Sequence, residues 1–195
     1  IVGNNSKKLS EELDQVRVLS LTDDLTGLPN RRAFTRRVQD EVLRSDREKT
    51  PMTLVFLDLD NFKTINEKYG RETGDDILRT YANHILAVFR RYDTVSRYGG
   101  EKFGALLPNT DQAGAQHALN KIQTKAYQTV FVYKGVNILV PTFSAGVAVH
   151  YPDESADALI ERADKALSRA KESGRDRIEF DEEVTEITLH EIEQL

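Results

Sequence analysis

Apolar positions in this chain recur at two spacings, one of three to four residues and one of two or fewer, and the switches between them mark out helices and strands. Leu9, Leu13 and Val16 leave one narrow apolar stripe on the polar stretch 1–20, which predicts a connecting helix or a frayed end. Phe34, Val38 and Val42 recur every four residues, as one face of a helix does. "PMTLVFLDLD" (51–60) is a continuous apolar run ending in alternating acids and reads as a central strand. "FKTINEKYG" starts a helix that Gly70 stops, and from Gly74 to Arg91 the residues Ile77, Leu78, Tyr81, Ile85, Leu86 and Phe89 form a second helical stripe. "SRYGGEKFGALLP" (96–108) predicts a hairpin with strands near 93–98 and 103–107. A helix over 111–128 follows, then two short strands around Lys134–Gly135 and another strand over 141–150. "SADALIERADKALSRAKESG" predicts a helix with Leu159, Ala163, Leu167 and Ala170 inward and Gly174 as its stop. "RDRIEF" reads as a last edge strand, and the acidic tail 181–195 as helical or frayed. Helices alternating with strands predict an α/β fold, as an α+β sandwich.

Composition narrows the class without naming a task. The 195 residues suit one domain with an appendage; 39% are hydrophobic and 30% charged, an ordinary globular balance. A net charge of −5 argues against general nucleic-acid binding, while leaving room for a local basic phosphate site. The absence of cysteine excludes disulfides, zinc thiolates and thiol nucleophiles, and points to a reducing, cytoplasmic setting. No apolar run approaches the ~20 residues that span a bilayer, and no signal peptide is visible. The chain begins at Ile1, so it reads as a piece of something longer.

Candidate chemistry gathers where the strands end. Asp58 and Asp60, two residues apart, lie on one face if the strand runs that far, at the end where ligands of open α/β sheets bind. Such acids either share a hard cation such as magnesium or cap the next helix in solvent. Lys63 starts a helix whose N-terminal amides favour phosphate. Lys171 and Arg175, four apart, would share one face of the late helix. Gly99 and Gly100 let backbone approach a ligand, or simply turn a hairpin.

Together, "DDLTGLPNRRAF", "FLDLDNFKTINEKYG", "GDDILR", "RRYDTVSRYGGEKF", "SAGVAV" and "ADKALSRAKESGRDRI" resemble the GGDEF domain of diguanylate cyclases from about Leu21 to Phe180. The resemblance implies a mixed, mainly antiparallel five-stranded sheet wrapped by helices, akin to nucleotidyl cyclases and the polymerase palm. It implies a linker or signalling helix over 1–20, the domain over 21–180 and an acidic tail beyond. The implied activity is synthesis of cyclic di-GMP from two GTP, in a homodimer, with magnesium (manganese as a substitute) and an upstream sensor domain. The parent protein could be membrane-anchored. Asp58 and Glu101 would hold the metal through carboxylates and Leu59 through its carbonyl, with Glu101 also taking the 3′-hydroxyl proton. Asn66 and Asp75 would read guanine. Lys63, Lys171 and Arg175 would serve the phosphates, with Phe62 and its neighbouring amides, and Gly99 and Gly100, covering them. Arg71 would support the guanine pocket where the family commonly has histidine. Arg90 and Asp93, an RxxD pair whose Asp93 falls six positions before Gly99, would bind product as an inhibitory site; outside such a family they would be a surface ion pair.

One departure bears on catalysis. The fourth signature position, usually glutamate, is Lys102. Two unit charges 4 Å apart interact by about 4 kcal/mol at an effective dielectric of 20, enough to weaken a second metal. The same ammonium could instead contact phosphate. The alternative to an active cyclase is a degenerate domain that binds GTP or cyclic di-GMP and signals by contact. Ser168 replaces a frequent tyrosine, and Asp176 a usual asparagine, beside Arg175. The four histidines, His84, His117, His150 and His190, show no metal spacing and read as surface or packing residues.

Overall fold

Five strands and two layers of helix place the signature hairpin at one end of a sheet. The structure, a computed structural model, describes residues 2–181; the tail expectation for 182–195 lies outside these. The apolar run forms β1 (Met52–Leu59), buried at every position. Its neighbours are β3 (Lys102–Pro108) and β6 (Phe143–Val149), both antiparallel to it. β2 (Thr94–Gly99) flanks β3, and β7 (Ile178–Phe180) runs parallel to β6 at the other edge. The order β2-β3-β1-β6-β7 is the mixed, mainly antiparallel sheet expected. The hairpin β4 (Val130–Tyr133) and β5 (Val136–Leu139), turning at Lys134–Gly135, stands apart from it.

Because side chains alternate across a strand, β1 feeds two cores. Val55, Leu57 and Leu59 pack with Phe103, Ala105 and Phe143 under α4 (Arg71–Val88) and α5 (Gln112–Gln128). Met52, Leu54 and Phe56 pack under α2 (Arg31–Glu48) and α6 (Ala156–Glu172). α2, α5 and α6 start where a side chain accepts an orphan amide: Asn30 from Ala33, Asp111 from Gly114 and Ser155 from Ala158. Gly146 lets β6 and α6 meet backbone to backbone, since a Cβ there would lie 2.2 Å from the Leu167 nitrogen and 2.3 Å from the Ala163 oxygen.

The helix over 1–20 forms as α1 (Val2–Leu19), with Leu9, Leu13 and Val16 exposed. Three expectations need correction. Leu86 is half exposed, because the buried stripe of α4 runs through Ile77, Leu78, Tyr81, Ala82 and Ile85 instead. Asp60 lies past the end of β1, so it does not continue the face of Asp58. α6 ends at Glu172, so Arg175 shares no helical face with Lys171; Gly174, Arg175 and Asp176 all have positive φ, at 113°, 64° and 47°. No helix among the described residues is long and apolar enough to cross a membrane.

Candidate active site

Asp58 is the penultimate residue of the buried strand, and its carboxylate accepts a 2.9 Å hydrogen bond from Lys171 Nζ on α6. Burial pushes its carboxyl up from the ordinary value; Lys171 opposes that shift, Glu101 adds to it, and Lys102 opposes it more weakly. Glu101 is brought alongside by the backbone, its carbonyl accepting from Leu59 N at 3.2 Å. Among the described residues no three His, Cys, Asp or Glu side chains form a complete metal cage. Two carboxylates and a carbonyl nevertheless suit magnesium, which keeps waters and takes further oxygens from a phosphate ligand. A buried carboxyl that resists ionising is a further reason for a cation to be favoured there.

The tip carrying Glu101 is braced. The β2–β3 register slips between Arg97 and Gly99, and Gly100 turns with φ of 53°. Arg97 Nε donates to the Gly100 carbonyl at 2.9 Å while its guanidinium pairs with Asp23 at 3.1 Å. The "DDLTGLPNRR" turn thus fixes the hairpin tip, a role for Arg97 that sequence reading missed.

Asp60 serves a different end from Asp58. It accepts from Thr142 Oγ1 at 2.7 Å, Ser144 Oγ at 2.6 Å and Asp176 N at 3.0 Å. Its charge is therefore met by protein donors, and it ties the turn after α6 to the strand end. Arg175, in that turn, is exposed and makes no ion pair among the described residues.

Beyond β1, Asn61 with φ of 53° leads into α3 (Phe62–Tyr69) without a side-chain cap. Lys63 stands 90% exposed, 3.9 Å from Glu67. Phe62 is buried in the core, so only backbone near it could cover a ligand. Asn66 Oδ1 is buried with no hydrogen-bond partner, a costly state for a polar atom unless a ligand completes it. Gly74 makes room for that amide: a Cβ at 74 would lie 1.8 Å from Asn66 Oδ1. Asp75, next along α4, is half-buried, and Arg71, first residue of α4, is exposed.

Lys102 faces Asp58 across the β1–β3 ladder. Its ammonium is hydrogen-bonded to the Asp164 carboxylate of α6 and lies 4.3 Å from the Phe56 ring centre and 5.0 Å from that of Tyr98. The lysine is therefore partnered, its charge met by Asp164 and by two aromatic faces. Nothing in the apolar pattern of α6 signalled Asp164, since it sits one residue from the inward Ala163.

Arg90 and Asp93 close on each other at the end of α4, the Arg90 amide donating to Asp93 Oδ2 at 2.7 Å. Asp93 Oδ1 is buried without a partner, and burial raises this carboxyl from its ordinary value. Both residues line a cavity of about 120 Å³ with His117 and Lys121 of α5. Those two are four apart on one helical face, a spacing from which they could have been found.

A mixed five-stranded sheet between helical layers, with carboxylates at the end of its central strand, defines a palm-like nucleotidyl cyclase class. The diguanylate cyclase, GGDEF domain family profile matches residues 20–177, and the chain belongs to that family. It is 38% identical over 175 residues to diguanylate cyclase DgcP of Pseudomonas aeruginosa, covering 90% of this chain and 26% of that protein. It therefore spans about a quarter of that relative's length. The GGDEF domain of DgcB from Caulobacter crescentus, solved in complex with c-di-GMP, superposes with a TM-score of 0.80 at 32% identity, over 83% of this chain and 93% of that one. A DgcB structure comprising the coiled coil and GGDEF domain matches at 0.79 and 31%, covering 92% and 95%.

Proposed function

We propose that the domain condenses two GTP into cyclic di-GMP and two pyrophosphates, as a magnesium-dependent homodimer inhibited by its product. The observation carrying this reading is the buried Asp58 carboxylate, with Glu101 near enough to raise its carboxyl further, at the sheet end where Asn66 Oδ1 is left without a partner. Asn66 Oδ1, unpartnered and buried, would accept from guanine, and the Asp75 carboxylate would take its other donors. Asp58, Glu101 and the Leu59 carbonyl would hold magnesium, or manganese in its place, which when bound acidifies the 3′-hydroxyl and neutralises the leaving group. Glu101 takes the 3′-hydroxyl proton as the oxygen forms its bond to the α-phosphorus of the other GTP. The α–β anhydride bond breaks, and pyrophosphate leaves against Lys63, Lys171 and Arg175. A single domain holds one GTP, so two must face each other. The exposed Leu9, Leu13 and Val16 stripe of α1 is the apolar surface that would bring them together, under control of a sensor domain upstream. Product would bind at Arg90 and Asp93, whose buried Oδ1 awaits a donor.

The test is product formation. The purified chain at high concentration, with GTP and magnesium, is expected to yield cyclic di-GMP by chromatography. Glu101→Ala should lower that yield by about 10²–10⁴-fold, the usual worth of a positioned general base. A silent parent beside an active Lys102→Glu would instead mean a binding module disabled at its fourth signature position. Arg90→Glu should raise the product level at which inhibition sets in, and unchanged inhibition would remove the RxxD assignment.

A further inference from the structure

The turn after α6 is unusual in its backbone and in what restrains it. Arg175 and Asp176 are consecutive non-glycine residues in left-handed conformation, following Gly174 at φ of 113°. Such residues are strained and persist only where their surroundings over-determine them. On one side the restraint is Asp60, whose Oδ2 takes the Asp176 amide at 3.0 Å, and the Arg175 amide also reaches the Ala170 carbonyl at 3.0 Å. On the other side it comes from α5. The Tyr127 hydroxyl lies 2.8 and 2.9 Å from the two oxygens of the Asp176 carboxylate, and Gln123 Nε2 donates to the same carboxylate at 3.3 Å. Gln123 and Tyr127 are four apart and so present one face of the helix to this carboxylate. Partial burial of the phenol, then its bond to Asp176, pushes the Tyr127 hydroxyl up to about 12. It therefore stays a proton donor throughout the working range.

We propose that Tyr127 and Gln123 are positioning residues for triphosphate binding, acting through Asp176 to hold Arg175 in the conformation that meets the phosphates beside Lys171. The proposal rests on the reading of Lys171 and Arg175 as the triphosphate contacts. The aspartate at 176 suits this device. An ionised acceptor makes a stronger bond to a phenol than a neutral amide does, and it offsets the strain of two left-handed residues. Tyr127 touches no reacting atom, so its loss should be felt in affinity for the phosphates, with the chemical step and the guanine contacts left alone.

The full chain with magnesium is titrated with a GTP analogue carrying a methylene bridge between its α- and β-phosphates, and separately with GMP. Tyr127→Phe is expected to weaken the analogue about 3–10-fold and to leave GMP within twofold. In turnover it should raise KM with kcat kept within about twofold. Asp176→Asn, which can still accept from the phenol, should retain most of the affinity that Asp176→Ala loses. In the Tyr127→Phe background the difference between these two variants should shrink to what the Gln123 bond alone sustains, because neighbours sharing one bond are non-additive. Arg175→Ala serves as the control on the underlying reading. If it leaves analogue affinity unchanged, the triphosphate assignment fails and the latch with it. If it weakens the analogue while Tyr127→Phe does not, or if Tyr127→Phe weakens GMP equally, the latch alone is overturned.

Discussion

At the end of the sheet remote from the glycine tip, Arg162 donates to both Glu154 oxygens at 2.6 and 2.8 Å, to Asp181 at 2.6 Å and to the Val149 carbonyl at 2.6 Å. His150 joins them, 2.9 Å from Asp46 and 3.4 Å from Glu154. At the tip end Asp58 has one cationic donor, Asn66 Oδ1 has none, and Lys63 and Arg175 stand open. The residue types are the same, and what differs is how fully they satisfy one another. A more fully paired network fixes structure and has little left to offer a ligand; among Arg162, Glu154, Asp181, His150 and Asp46 the only buried side-chain atom without a hydrogen bond is His150 Nδ1. An open one carries desolvation cost that a ligand can relieve.

The sharpest way to break that contrast is at the closed end. Arg162→Ala strands two buried carboxylates, and removing one member of such a group costs about 3–5 kcal/mol. The urea midpoint should fall accordingly; an unchanged midpoint would mean that the far end is no more structural than the tip. A smaller effect is expected from Lys102→Glu, which sets a third carboxylate against Asp58 and Asp164. Loss of the charged hydrogen bond should cost about 1–2 kcal/mol without metal, and added magnesium should recover more stability in the variant than in the parent. Equal metal-free melting temperatures would show that the Asp164 pairing contributes nothing. The smallest effect concerns Asp58→Asn. The folded carboxyl of Asp58 titrates above its ordinary value. Its contribution therefore favours folding below the unfolded value and is lost as pH rises through the folded one. The asparagine variant should be at least as stable as the parent at neutral pH, and any advantage should vanish below about pH 4. A parent that outperforms the variant at neutral pH without metal would reverse the assignment of Asp58 as an unrelieved charge.

Strand and helix identities were readable because burial writes a period into the chain. Phe34, Val38 and Val42, or Leu159, Ala163 and Leu167, are apolar at the spacing their helices require and are buried as expected. Leu86 misled because an apolar residue at nearly the right angle is indistinguishable from a core one until the helix is seated. The family motifs singled out Asp58, Glu101, Asn66 and Arg90 as candidates. They could not show that Asp60 is spoken for by Thr142 and Ser144, some eighty positions away, or that Asp164 would find Lys102 across sixty-two. Pairing across such separations leaves no local period. Arg97 was hidden for a related reason: its partners, Gly100 and Asp23, lie on opposite sides of it in sequence.

The backbone contact at Gly146 gives α6 the properties of a measuring rod. The helix is pinned along its axis by Arg162 and cannot be lifted or slid where Ala163 and Leu167 rest on the strand. Lys171 lies nine residues further on, about 14 Å at 1.5 Å per residue. A slip of one turn would be about 5.4 Å, far more than the 2.9 Å bond to Asp58 could absorb. Anyone transplanting this site onto another scaffold would have to carry the segment from Glu154 to Asp176 as one calibrated part, since its datum and its working tip lie at opposite ends.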